Sequence, residues 1–348
     1  MNRFGCRNSV DRVGVLIAQL GTPNAPTAKA LKPYLREFLS DRRVIEKNRF
    51  LWWMILNFIV LNVRPKRSAR LYSRIWTNEG SPLLSITQKQ TAALAEKLGS
   101  EVKVVFGMRY GEPSLESGIE ELIESGCRRI LLFPMYPQYS ATTTAATYDA
   151  VFPVLLKQRW VPTLRVAEPY YRHPAYLDAV VRTINSGLDE LDFKPDRLLF
   201  SFHGIPQEYI QKGDPYCCMC METSTAIRNR LNIDSSLVVH TFQSRFGRDP
   251  WLTPYTDVTV EELAKSGVKK IAIACPGFTA DCLETLDEIG NEARILFEEN
   301  GGERLQLIPS LNDQKPWIEA MTVIVKEELG SWIENESIES QLKCSWNC

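Results

Sequence analysis

Two stretches, ELIESGCRRILLF (Glu121 to Phe133) and ELAKSGVKKIAIA (Glu262 to Ala274), follow one pattern. In each, the end of a helix-patterned segment meets Ser-Gly, then a basic pair or near-pair, then an unbroken apolar run. The apolar run suits a covered strand. The register holds elsewhere: Gly267 minus Gly126 is 141, and Pro316 of KPWIEAM minus Pro174 of HPAYLDAV is 142. MRYGEP at Met108 is echoed by SRFGRDP at Ser244. A solenoid would repeat every ~20–50 residues, so this longer period predicts two similar domains.

Outward from this pair, strands are predicted at 13–20, 102–107, 128–133, 163–167, 197–202, 237–242, 269–274 and 305–309. They are almost continuously apolar, the mark of parallel strands covered on both faces. Amphipathic stretches such as SPLLSITQKQTAALAEKL and PAYLDAVVRTINSGLDEL lie between them at crossover length. The fold expected is α/β: two similar Rossmann-like domains, parallel sheets flanked by helices, and an active-site cleft between them. The expected divisions are a tail at 1–12, a first domain at 13–170, a second at 171–315, a helix at 316–334 packing back on the first domain, and a flexible tail at 335–348.

A formal net charge of −1 argues against a nucleic-acid partner. The N-terminal MNRFGCRNSVDRVGV has no signal-peptide core, so the nine cysteines are expected as reduced thiols or metal ligands in a cytoplasmic setting. The run FLWWMILNFIVLNV at 50–63, with KNR before it and RPKR after it, is shorter than the roughly 20 residues a membrane crossing needs. Two readings stay open: a buried helix, or an exposed lip that admits an apolar ligand or rests on a membrane surface.

Ligands of open parallel sheets bind beyond the strands' carboxyl ends. In this chain those positions hold LGTP, MRYGEP, PMYPQYSATTT, HGIP, QSRFGRDPW and PGFTADCLE. His203, one of three histidines, stands where a strand opens into a Gly-Pro turn; His173 and His240 read as surface or core residues. Asp281, Glu284 and Glu288 recur at helical spacing and are expected on one face, with Glu284 turned toward His203. An imidazole–carboxylate pair suits divalent metal binding or proton abstraction. No GxGxxG, GxxxxGK[ST] or GxSxG pattern is present. Cys217, Cys218 and Cys220, with Cys344 and Cys348, match no zinc-finger or ferredoxin spacing; free thiols and a metal or cluster site both stay open.

With these loops assembled, the chain resembles the ferrochelatases, in wording closest to Gram-negative bacterial members. The resemblance is carried by LGTP, FLSDRRV, EGSPL, FGMRYGEPS, YPQYSATTT, SFHGIP, KGDPY, TFQSRFGRDPWLTPYTD and CPGFTADCLETLDEI, in family order across nearly the whole chain. It implies a chelatase-like fold and a lyase that inserts Fe²⁺ into protoporphyrin IX to give protohaem, releasing two protons, in the terminal step of haem synthesis. By motif, His203 and Glu284 match the family's metal-site pair, with Asp281 and Glu288 behind as a proton or metal relay. Leu20, Arg64, Tyr72, Ser81, Arg109, Tyr110 and Tyr136 match porphyrin positions.

The resemblance implies no cofactor beyond the substrate iron. Animal members ligate a [2Fe–2S] cluster with a cysteine where this chain has Ala141, and carry a histidine where it has Cys282. Protoporphyrin IX and ferrous iron are the implied partners, with peripheral contact at the inner membrane through 50–63 as the further implication of an exposed lip. Coproporphyrin, a cobalt or nickel chelatase, and a two-lobed porphyrin carrier are the rival readings.

Overall fold

The computed structural model describes residues 12–334; the expected tail at 335–348, with Cys344 and Cys348, and residues 1–11 of the expected tail at 1–12 lie outside the described residues, while Arg12 already begins the first strand. The first lobe runs β1 (Arg12–Gly21), α1 (Ala28–Ser40), α2 (Arg49–Ile55), a π-helical turn, α3 (Leu61–Ile75), α4 (Pro82–Leu98), β2 (Val102–Tyr110), α5 (Leu115–Glu124), β3 (Cys127–Pro134), α6 (Ala146–Leu156) and β4 (Thr163–Val166). The second runs α7 (Pro174–Asp189), β5 (Arg197–His203), α8 (Gln207–Gln211), α9 (Tyr216–Arg228), β6 (Val238–Gln243), α10 (Thr256–Lys265) and β7 (Lys270–Ala274). There follow a π-helix (Glu284–Ala293), α11 (Arg294–Glu299) and β8 (Arg304–Leu307). The chain then returns through α12 (Lys315–Leu329) and α13 (Ser331–Glu334).

All eight predicted strands form, and every pairing is parallel. The sheet orders are β2-β1-β3-β4 and β6-β5-β7-β8, the same topology twice, as the sequence repeat predicts. Continuous apolar runs make sense here because both faces of each sheet are covered. Alternate residues of β1 face opposite ways: Val13, Val15 and Ile17 enter a core shared with the second lobe, while Leu16 and Ala18 pack under α5 and α6. The shared core also takes Leu198 and Phe200 from β5 and the fully buried Trp317 from α12. Helix α12 packs on α4 and β3 of the first lobe as well as on α7, so the two lobes are tied through one hydrophobic body.

The strand order reverses between β1 and β3 and again between β5 and β7. Crevices at such switch points, beyond the carboxyl ends, are where open α/β sheets take ligands. Gly21 ends β1 at φ 111°, where an added Cβ would lie 1.8 Å from the Tyr110 carbonyl oxygen. Only glycine fits that turn.

The apolar run at 50–63 is an exposed lip. Helix α2, the π-helical turn and the start of α3 form one continuous helical path. Its outer side shows Phe50, Trp53, Phe58, Ile59 and Val63, with Phe58 68% exposed. Leu56 and Leu61 turn inward onto Leu31 and Leu35 of α1. Among the described residues no helix is long and apolar enough to cross a membrane.

Candidate active site

A cavity of about 540 Å³ opens between the lobes at the two switch points. That lies within the ~300–1,000 Å³ of ordinary small-molecule sites. The first lobe gives Leu20 from the end of β1, Met135 and Tyr136 from the end of β3, and an aromatic wall of Tyr34, Phe38 and Tyr72. Tyr34 meets Tyr72 edge to face at 6.5 Å. Burial pushes both phenols well up, with the charge of Glu284 a further cause, so both stay neutral. Thr22 and Ser81 share a buried 2.8 Å hydroxyl–hydroxyl hydrogen bond at the cavity wall. Trp52 of the lip also lines the cavity, its indole N–H donating to the Leu39 carbonyl at 2.7 Å.

The second lobe supplies the polar side. His203 is the last residue of β5, and its Nδ1 lies 2.6 Å from the Gly204 carbonyl oxygen. A carbonyl only accepts, so Nδ1 carries a proton, and Nε2 is the ring nitrogen left to act. Beyond β7 the chain makes the Cys275–Pro276–Gly277 turn and enters the π-helix, which brings Glu284, Asp287, Glu288 and Glu292 to the cavity. A ten-residue π-helix is long for that conformation, which occurs mostly as single turns at functional sites.

Glu288 is held firmly. Ser244 donates its backbone N–H at 2.6 Å and its hydroxyl in a still shorter contact. Ser244 achieves this grip at φ 67°, a left-handed conformation uncommon outside glycine. Burial raises the Glu288 pKa, with the Ser244 hydrogen bonds and the nearby His203 opposing that rise. Beside it Gln243, 3% exposed, donates to the backbone carbonyl of Glu284 at 2.7 Å and accepts from Ser201 Oγ at 2.7 Å. Since Gln243 pairs with His203 in the β5–β6 register, one buried amide joins the histidine's strand end to the glutamate's helix.

At the mouth, Arg64 stacks on Phe246 at 4.9 Å and lines the cavity, and among the described residues no carboxylate is hydrogen-bonded to it. Burial lowers its pKa, and Arg67 adds to that effect. A half-buried cation of this kind suits an anionic group on a ligand.

Of the residues singled out in the sequence, Leu20, Arg64, Tyr72, Ser81, Tyr136, His203, Glu284 and Glu288 line this one cavity. Three do not. The guanidinium of Arg109 is turned away to Asp41 and to the Ala146 carbonyl, and Tyr110 donates its hydroxyl to Asp41 at 2.8 Å. These two residues brace the loop after α1. Asp281 precedes the helix; its carboxylate accepts from Thr285 Oγ1 at 2.8 Å and Asn312 Nδ2 at 2.7 Å, so it pins the 310–312 loop. The single acid face expected for Asp281, Glu284 and Glu288 therefore holds only for the last two.

His173 caps α7 and meets Glu327 at 3.0 Å, and His240 sits between Phe202 and Phe242; both are structural, as expected. Sequence reasoning missed Tyr34, Phe38, Gln243, Ser244, Phe246 and Asp287. A signal exists for some: QSRFGRDP lies beyond a strand's carboxyl end, and Tyr34 and Phe38 are spaced i, i+4 on α1.

The cysteines of YCCMC lie on α9: Cys218 exposed, Cys217 half-buried, Cys220 fully buried with its thiol pKa pushed well up by burial. Adjacent helical positions face different ways, and among the described residues no three His, Cys, Asp or Glu side chains are grouped to hold a metal ion.

A sequence model of the ferrochelatase family matches residues 12–329. The ferrochelatases of Brucella ovis, Brucella suis and Brucella melitensis are each 50% identical over 326 residues, covering 92% of this chain and 93% of theirs. Among solved structures, SirB from Bacillus subtilis, with Fe³⁺, aligns at a TM-score of 0.55 and 12% identity, covering 93% of this chain and 98% of that one. DR2241 from Deinococcus radiodurans, a multi-domain protein with structural similarity to chelatases, aligns at 0.52 and 14% identity, over 91% of this chain and 55% of that one. At such identities these two establish the fold alone.

Proposed function

The chain belongs to the ferrochelatase family, lyases that insert ferrous iron into a porphyrin in haem synthesis, and on that footing we propose that the cavity takes protoporphyrin IX between His203 and Glu284. Insertion has two demands: the free-base ring must lose two N–H protons, and Fe²⁺ must shed water. No electron moves, so nothing in the reaction calls for a cofactor beyond the iron itself. The Nε2 lone pair of His203 is the acceptor for a pyrrole proton or the first nitrogen ligand to the metal. Glu284, backed by the anchored Glu288, passes the cation inward and accepts a pyrrole proton on its carboxylate, so the two protons released have His203 and Glu284 as acceptors. Few strong ligands suit this task, because iron held by many would not be handed over.

The aromatic wall of Tyr34, Phe38 and Tyr72, with Leu20 and Tyr136, suits a flat apolar ring, and Arg64 suits a carboxylate at its edge. The exposed lip fits a peripheral role at a membrane: Phe50, Trp53, Phe58 and Ile59 project outward beside Arg49 and Arg67. A cytoplasmic protein resting on the inner membrane there could receive an apolar porphyrin directly.

The observation that carries this reading is the lone pair of His203 and the carboxylate of Glu284 opening on one aromatic-walled cavity from the ends of β5 and β7. Purified protein mixed anaerobically with Fe²⁺ and protoporphyrin should give the visible spectrum of haem, and less product with coproporphyrin. No haem from either ring, or clear preference for coproporphyrin, would overturn the reading.

A further inference from the structure

A chain of polar contacts runs across the lobe boundary, starting at Gln90 of α4. Gln90 is fully buried, and its Nε2 donates to two carbonyls of the second lobe, Thr279 at 2.9 Å and Asn312 at 2.8 Å. Thr279 returns a bond to the first lobe, its hydroxyl donating to the Met135 carbonyl just after β3 at 2.9 Å. Asn312, at φ 47°, exchanges two bonds with Asp281: its Oδ1 accepts the Asp281 N–H at 2.8 Å, and its Nδ2 donates to the carboxylate at 2.7 Å. The other Asp281 oxygen accepts from Thr285 Oγ1 at 2.8 Å, and Thr285 directly follows Glu284 in the π-helix.

Helix α4 begins beside Ser81, whose hydroxyl bonds to Thr22 at the cavity wall, and Gln90 lies further along the same helix. One helix therefore carries a residue of the wall at its start and a clamp on the entry to the π-helix in its middle. Gln90 itself does not line the cavity. A buried polar network with its bonds made holds its elements in one arrangement, and reacting groups need such support to keep their geometry. We propose that Gln90 is a positioning residue for metal insertion: through Asn312, Asp281 and Thr285 it sets where Glu284 stands relative to the first lobe's porphyrin wall. This rests on the reading of Glu284 as a carboxylate that acts on the iron and a pyrrole proton.

The test is a double-mutant cycle on the full chain. Anaerobic haem formation is measured well below each variant's Tm, and kcat is referred to the porphyrin-binding sites counted by fluorescence quenching. Gln90→Met keeps the side chain's length and removes both donated bonds. It should lower kcat by about 10–100-fold, as expected when a reacting group moves by up to about 1 Å. KM for porphyrin should stay within about twofold, since Gln90 is outside the cavity wall. Glu284→Gln removes the group that Gln90 places, so adding Gln90→Met to it should cost at most about twofold more. Leu122→Ala, in the core under α5 and away from the cavity, should lower Tm and leave kcat at the parent value. If Gln90→Met does not fold, Asn312→Gly takes its place. Glycine accepts the positive φ, only the side-chain bonds to Asp281 are lost, and kcat should fall about tenfold.

Parent-like kcat in Gln90→Met, or in Asn312→Gly where that variant stands in, would overturn the proposal. So would losses that multiply in full in the double variant, or an equal fall in Leu122→Ala. The two readings fail differently. Parent-like kcat in Glu284→Gln sinks the role given to that carboxylate, whereas a large loss there beside parent-like kcat in Gln90→Met sinks the positioning claim alone.

Discussion

Replacing Gln243 with Leu would cut the one buried amide that links the His203 strand end to the Glu284 helix. The side chain is 3% exposed, so little water can take over its bonds. Ser201 keeps its 2.9 Å contact with Thr256 and loses only one bond, at a net cost of about 1 kcal/mol. The Glu284 carbonyl loses its amide donor, and a buried acceptor left unmet costs about 1–3 kcal/mol. Together these give about 2–4 kcal/mol, which for a chain of this size lowers Tm by roughly 3–6 °C. The kinetic effect should be larger than stability alone implies. A helix shift of about 1 Å at the reacting groups costs on the order of 10²-fold in rate. Calorimetry gives the first quantity, and anaerobic haem formation well below the variant's Tm gives the second. A Tm that falls as expected with kcat within about twofold of the parent would refute the reasoning: Gln243 would then be packing, and the π-helix would hold its position without it.

Other outcomes follow from the same structure. Arg64→Met removes the uncompensated cation at the cavity mouth and should raise KM for a dicarboxylate porphyrin by about tenfold or more, with kcat nearly unchanged, as expected for a charge-assisted hydrogen bond of about 1.5–3 kcal/mol; equal KM values would remove Arg64 from the porphyrin site. Converting Phe58 and Ile59, both mostly exposed, to Ser should lower sedimentation with anionic vesicles by about tenfold, since each large apolar side chain contributes about 1.5–3 kcal/mol when fully buried. Unchanged binding would mean the lip does not meet lipid. His240 is held neutral by burial, its pKa pushed down to about 4. The unfolded chain therefore binds a proton the native one refuses between about pH 6.5 and 4, and stability should fall by up to about 3 kcal/mol as pH drops through that window. His240→Phe should flatten that part of the denaturation profile, and an unchanged acid limb would assign the loss to other groups.

Much of the fold was legible because parallel strands covered on both faces must be continuously apolar, and VGVLIAQL, RRILLF and KKIAIA cannot be much else. The repeat between 121–133 and 262–274 carried the topology, since matching sequence in matching order implies matching sheets. The site was legible where a residue ends a strand: His203, Leu20 and Tyr136 need only the rule that ligands sit beyond carboxyl ends. What failed required knowing where a side chain turns. Arg109 sits at the right strand end, yet Asp41, 68 residues away in sequence, draws its guanidinium elsewhere. Asp281 shares α-helical spacing with Glu284, but the helix begins after it and the 310–312 loop consumes its carboxylate. The π-helix itself left no trace in ETLDEIGNEA, whose composition suits an ordinary α-helix equally well. Ser244 at positive φ was likewise invisible, because in QSRFG only Gly247 invites that conformation, and both residues adopt it.

The most direct measurement is made on His203→Ala. With Nε2 gone, porphyrin binding followed by fluorescence quenching should stay within a few-fold of the parent, while anaerobic haem formation should fall by at least about 10²-fold, the lower range for removal of a general base. Haem formation at the parent rate, or loss of porphyrin binding in step with activity, would contradict the account.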